Sequence, residues 1–163
     1  MIKHLLLAAG IFAVDQYCKD KVEKKESSGD RTIWKGQIIL TRYHNSGAFL
    51  NMGEKHGKVL TFLVTVVFLV LVFLAALVWR SERRELLKLG YSLMIGGAAS
   101  NLLDRYRYGY VVDYFSFKKL PKVVFNLGDM AIFLGALLVG MFSALTGAGA
   151  SKRQKNEEEK IEL

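Results

Sequence analysis

The sequence predicts an all-α membrane protein with four transmembrane helices and a small extracytoplasmic β-rich segment between helices one and two. Three observations carry that prediction. Of 163 residues, 52% are apolar and 23% charged, in a chain about the length of one domain. Ionisable side chains are absent from Val59 to Trp79, and Asp129 stands alone between Val123 and Ala150; about 20 apolar residues cross a hydrocarbon core. Between the first two apolar runs lies a long polar segment with strand-like patches.

The first span, about 2–18, opens on Met1-Ile2-Lys3-His4 and continues through uncharged Leu5–Val14. A cleaved secretory signal would begin the same way. Here, however, the run enters Asp15-Gln16-Tyr17-Cys18-Lys19 without a small-x-small cleavage site, and further apolar segments follow, so the helix is read as retained. In the next segment Glu23–Asp30 is polar and loop-like, whereas Ile33-Trp34 and Ile38–Tyr43 are β-branched and aromatic, as strands are. A small sheet at the membrane surface fits them. The second span, 59–79, ends at the basic stretch Arg80–Lys88; the third is about 86–104 and the fourth about 123–148. Residues 1–150 thus form one integral membrane domain, and the charged 151–163 tail is expected to be disordered.

Four spans put both termini on one side. Nine basic residues in 15–58 are diluted by six acids, whereas the tight 80–88 turn carries Arg80, Arg83, Arg84 and Lys88. With Lys3 this favours cytoplasmic termini. A net charge of +8 points to anionic lipid head groups rather than nucleic acid. The single cysteine, Cys18, permits no internal disulfide, and three scattered histidines suggest no metal, so no cofactor is expected.

Charge at bilayer depth is expensive, at least about 2.5 kcal/mol on insertion scales, so ionisable groups there are functional candidates. Counted from Lys122, Asp129 lies about 10 Å into the fourth helix at 1.5 Å per residue. Asn126, three residues earlier, falls on the same face and could bond its carboxyl group; a polar pair gluing helices together is the plain structural alternative. Asp113 sits in apolar Tyr110-Val111-Val112-Asp113-Tyr114, and the 105–123 connection could fold back to bring it to Asp129. Two close carboxyls share a proton, so one can act as base toward water and the other as acid. Asn101, Asp104 and Arg105 share a helix face: Asp104 reads best as a cap or ion-pair residue, while Asn101 and Arg105 offer donors to a peptide backbone or lipid ester. Asn45-Ser46-Gly47 could be a plain turn, and Asp15 with Lys19 an interfacial ion pair.

Taken together, Asp15-Gln16-x-x-Lys19, Asn45-x-Gly47-Ala48, Gly97-Ala98-x-x-Asn101-x-x-Asp104-Arg105, Val111-Val112-Asp113-Tyr114 and Phe125-Asn126-x-x-Asp129, in this order, closely resemble the lipoprotein signal peptidase (signal peptidase II) family. The resemblance covers about residues 1–148. It implies a bacterial inner-membrane aspartic endopeptidase, without cofactor, that removes the signal peptide of a prolipoprotein before its diacylglyceryl-modified cysteine and is inhibited by globomycin-type cyclic peptides. By that resemblance Asp113 and Asp129 are the catalytic dyad. Asn45, Gly47, Asn101, Arg105 and Asn126 bind substrate or support the dyad, and Asp15, Lys19 and Asp104 are structural or supporting. Phe49, Ser100 and Gly128 replace the usual Ala, Gly and Ala, and Pro121 stands further from Phe125-Asn126 than the pattern expects. The rivals are a small proton- or cation-coupled transporter using Asp129, for which Asp113 would be superfluous, and a non-catalytic membrane assembly protein.

Overall fold

Small residues decide where the helices can touch. The computed structural model describes residues 2–24, 29–47, 57–81 and 84–161, with backbone only from 147 onward. Its helices are α1 (Ile2–Glu23), α2 (Gly57–Trp79), α3 (Glu85–Tyr108) and α4 (Leu127–Ile161). Central α3 packs against the other three. A Cβ on Gly90 would lie 2.8 Å from the Gly135 carbonyl oxygen, and one on Gly135 would lie 2.5 Å from the Gly90 carbonyl. One heptad on, Gly97 meets the Gly128 backbone in the same way, so antiparallel α3 and α4 run in backbone contact.

Helix α2 buries only Ala75 and Val78, while Phe62, Val67 and Phe73 are each more than 60% exposed. Its 23 residues rise about 34 Å, enough for a bilayer core of about 30 Å. Among the described residues, α2 and the Leu127–Thr146 part of α4 are long and apolar enough to cross a membrane. Helices α1 and α3 miss that standard because they carry charged side chains. Some of those charges point inward: Asp15, Lys19 and Asp104 are at most 2% exposed.

Strands β1 (Arg31–Ile33), β2 (Ile38–Asn45), β3 (Val111–Phe117) and β4 (Leu120–Phe125) form one antiparallel sheet in the order β1-β2-β3-β4. The β2–β3 pairing places Tyr43 opposite Asp113 and Asn45 opposite Val111. Half of the sheet therefore comes from the α3–α4 connection, which corrects the expectation of a β-rich segment confined between the first two helices. The fourth helix starts at Leu127, not near 123, because Val123-Val124-Phe125 belongs to β4; an apolar run of that length does not distinguish strand from helix.

Helices α1 and α3 outrun the spans read as 2–18 and 86–104. Gly109, at φ 80°, closes α3, its N–H bonding the Arg105 carbonyl 3.1 Å away. Helix α4 runs to Ile161 where a disordered tail was expected, through Lys, Arg, Gln and Glu residues that favour helix. The positions Ala48 and Phe49 lie outside the described residues.

Candidate active site

Strand alternation sets up the site. Val112 and Tyr114 point one way from β3, and Asp113, 1% exposed, points the other way with Val111. Asp113 and Asp129 both line a cavity of about 500 Å³, with Asn45, Asn101 and Arg105 on its polar side and Ile132, Phe133 and Val124 among its apolar walls.

Asp129 is not deep within a helix, as counting from Lys122 suggested, but in the first turn of α4. Asn126 is the N-cap: its Oδ1 accepts from the Asp129 N–H at 2.8 Å, while Asp129 Oδ2 accepts from the Asn126 N–H at 3.1 Å. This is the reciprocal capping arrangement, with Asp in place of Glu at the third helical position. It satisfies two N–H groups that a helix start leaves unpaired. The Asn126 amide does not bond the Asp129 carboxyl group, contrary to expectation. Its Nδ2 instead donates to Asp113 Oδ1 at 2.7 Å, so one side chain fastens both acids.

Further donors surround the pair. Asn45 Nδ2 donates to Asp113 Oδ2 at 3.1 Å, and Asn101 Nδ2 to Asp129 Oδ1 at 2.7 Å. The Gly47 N–H bonds Asn45 Oδ1 at 3.2 Å, so the Asn-x-Gly stretch is a turn tied to the site. Arg105 Nη2 donates to the Gly47 carbonyl at 2.5 Å, and its buried Nη1 has no partner among the described residues. Burial, then the neighbouring Asp129 charge, lifts the Asp113 carboxyl from 3.8 to about 7, against the opposing Asn45, Asn126 and Lys19.

Behind the cavity lies a buried charge network. Lys19 Nζ meets Asp15 Oδ2 at 2.9 Å, Asp104 Oδ2 at 3.0 Å, Ser100 Oγ at 3.2 Å and Asn101 Oδ1 at 2.7 Å. Asp15 and Lys19 are therefore a buried pair rather than an interfacial one. Asp104 does not pair with Arg105: its Oδ2 accepts from the Val112 N–H at 3.1 Å, tying β3 to α3.

Three members of this network have no role in the reading of single motifs. Gln16 Nε2 reaches Asp104 Oδ1 at 2.9 Å, and the Ser100 hydroxyl donates to Asp15 Oδ2 at 2.5 Å. The Tyr114 hydroxyl donates to Asp15 Oδ1 at 3.0 Å and accepts from the Leu127 N–H at 2.9 Å. Burial, then the Asp15 charge, drives that phenol well above its ordinary range, so it remains a donor. The available signal was an aromatic hydroxyl beside a candidate acid, since a buried Tyr needs a partner.

Two carboxyls, one buried and one half-buried, held by asparagine amides at one cavity and among helices suited to lipid, define a membrane protein with a paired-carboxylate site. The family model described as signal peptidase (SPase) II matches residues 7–145, and the chain belongs to that family. The lipoprotein signal peptidase of Moorella thermoacetica is 36% identical over 151 residues, covering 92% of this chain and 97% of that protein. That of Halothermothrix orenii is 37% identical over 133 residues, covering 81% and 88%. A solved bacterial membrane enzyme superposes with a TM-score of 0.77 at 19% identity, covering 93% of this chain and 92% of that one, which shows a shared fold.

Proposed function

We propose that this protein is a membrane-embedded aspartic endopeptidase that cleaves the signal peptide of prolipoproteins before the diacylglyceryl-modified cysteine. The observation that carries the reading is Asn126, whose Oδ1 and Nδ2 hold Asp129 and Asp113 at one cavity. Asp113, lifted to about 7 by burial, holds the shared proton. Asp129, in the first turn of α4 with two N–H donors on its oxygens, is the base. Asp129 takes a proton from water as the oxygen attacks the scissile carbonyl carbon, and Asp113 protonates the carbonyl oxygen. As the tetrahedral species collapses, Asp129 gives its proton to the leaving nitrogen and Asp113 recovers one from a hydroxyl. Arg105 and Asn45 are donors to the substrate chain, and the apolar walls receive its lipid, which anchors the scissile bond and lowers the entropy cost of the encounter.

In this reading all four helices span a bacterial cytoplasmic membrane, with the sheet and site toward the extracytoplasmic face. Lys3 and His4 lie against Glu85, at 2.7 and 3.2 Å, supporting an N-terminus on the same side as the 80–88 turn. The cavity is also where a globomycin-type cyclic peptide would bind. A proton- or cation-coupled transporter finds no support in the comparisons. Incubation of the purified protein with diacylglyceryl-modified prolipoprotein should give a shortened product, while the unmodified precursor stays intact. No cleavage, or equal cleavage of both, overturns the proposal.

A further inference from the structure

The sheet ends in two adjoining turns whose composition the chemistry of the site does not explain. In the β1–β2 turn the Gly36 N–H bonds the Ile33 carbonyl at 3.1 Å, and the central residues Trp34 and Lys35 have φ of 48° and 55°. Such a turn favours Asn-Gly, because side chains other than glycine's hydrogen and the short polar Asn or Asp are strained at positive φ. Here the strained positions display a tryptophan that is 75% exposed and an exposed lysine. The β3–β4 turn lies beside them: the Lys118 N–H bonds the Gln37 carbonyl at 2.9 Å, and Phe117 pairs with Ile38. It adds exposed Phe117, Leu120, Lys118 and Lys119.

We propose that these two turns form a rim that seats the sheet on the bilayer by holding anionic phospholipid head groups. An indole projecting into water gains nothing, whereas at a membrane interface its ring is buried and its N–H stays wet. The lysines supply the charge complement, each contributing to attraction by an anionic leaflet. Neither 31–47 nor 114–125 contains an acidic residue; the flanking acids, Asp30 before β1 and Asp113 within β3, stand away from the turns along their strands. The surface continues into the site, because β4 leads through Phe125 to Asn126 and Asp113 lies on β3. Seating the rim at head-group level therefore sets the depth of both carboxyls relative to a lipid-anchored substrate. The rim itself requires only the membrane orientation given above, not the peptidase chemistry.

Trp34 reports on its own surroundings once Trp79, the other tryptophan, is replaced. The full chain carrying Trp79→Phe is reconstituted in phosphatidylcholine vesicles with and without phosphatidylglycerol, and Trp34 emission and its quenching by lipids brominated near the head group are measured. The expected result is a blue shift and strong lipid quenching with phosphatidylglycerol, both reduced in phosphatidylcholine alone. Adding Lys35→Gln, Lys118→Gln and Lys119→Gln, all at exposed positions, should abolish the difference between the two vesicles. Emission typical of water, quenched by aqueous iodide in both, overturns the rim. Equal insertion in both vesicles overturns the anionic assignment. A shift reproduced by inorganic phosphate identifies a free-anion site, and one that follows protein density identifies a second copy; either refutes the lipid. Cleavage measured on the same samples tests the peptidase reading separately, since a seated but inactive protein contradicts that reading alone.

Discussion

Asp113→Asn should change the sign of its effect on stability with pH. Asp113 binds its proton up to about 7 in the folded protein, against 3.8 for an ordinary aspartate. Between these values the folded state holds a proton that the unfolded chain has released, so stability falls as pH rises through the window. The favourable contribution is complete below the unfolded value and lost once pH passes the folded one. Three units correspond to roughly 4 kcal/mol. Asparagine has no such charge to lose. It does, however, turn one NH2 toward an incoming amide, since Asn45 and Asn126 each donate to an Asp113 oxygen, and a buried unmet donor costs about 1–3 kcal/mol. The variant should therefore be less stable than wild type by about 1–3 kcal/mol at pH 4 and more stable by a similar amount at pH 8, with no cleavage at either. Thermal unfolding followed by tryptophan fluorescence measures this, at roughly 2–4 °C per kcal/mol. A destabilisation of the same size at both pH values would refute the buried, proton-holding carboxyl.

Asp129→Asn should leave below about a hundredth of wild-type cleavage, judged by product size shift, as loss of an acid–base group usually does. Arg105→Lys should express normally yet lose most activity, because an ammonium cannot both hold the Gly47 carbonyl and present the second guanidinium nitrogen; wild-type cleavage would return Arg105 to a structural role. Lys19→Met should lower stability by about 3–5 kcal/mol, since it leaves Asp15 and Asp104 buried without their cation. Denaturant titration checks that loss. A cysteine replacing Lys119 should react with an impermeant maleimide only from outside; labelling only from the cytoplasm would invert the topology.

The apolar runs were legible because hydrocarbon selects on composition, and α2 follows the reading residue for residue apart from two at its start. The β3–β4 hairpin was not. Its pairing with β2 joins positions up to 79 apart, Ile38 with Phe117, and no local pattern announces a partner at that distance. The start of α4 was misplaced for a related reason. Val123-Val124-Phe125 continues the helix by composition, whereas Asn126-x-x-Asp129 marks the N-terminus by its capping pattern. Of the two signals the cap was the more specific, because it satisfies particular N–H groups, while hydrophobicity only reports burial.

Membrane charges are harder to read singly than in company. Asp15, Lys19 and Asp104 each suggested a pair at an interface, yet their burial becomes tolerable only as a set, with Ser100, Gln16 and Tyr114 completing the hydrogen bonds. The set also fixes a direction that residue types alone leave open. An asparagine amide can present either end to a neighbour, but an ammonium only donates. With Lys19 Nζ 2.7 Å from Asn101 Oδ1, the other end of that amide must face Asp129 as a donor, and it does at 2.7 Å. A residue that touches no substrate thereby determines that Asp129 is met by an N–H on this side. Asn126 is fixed by the same logic, its Oδ1 taking the Asp129 N–H so that Nδ2 is the end that faces Asp113.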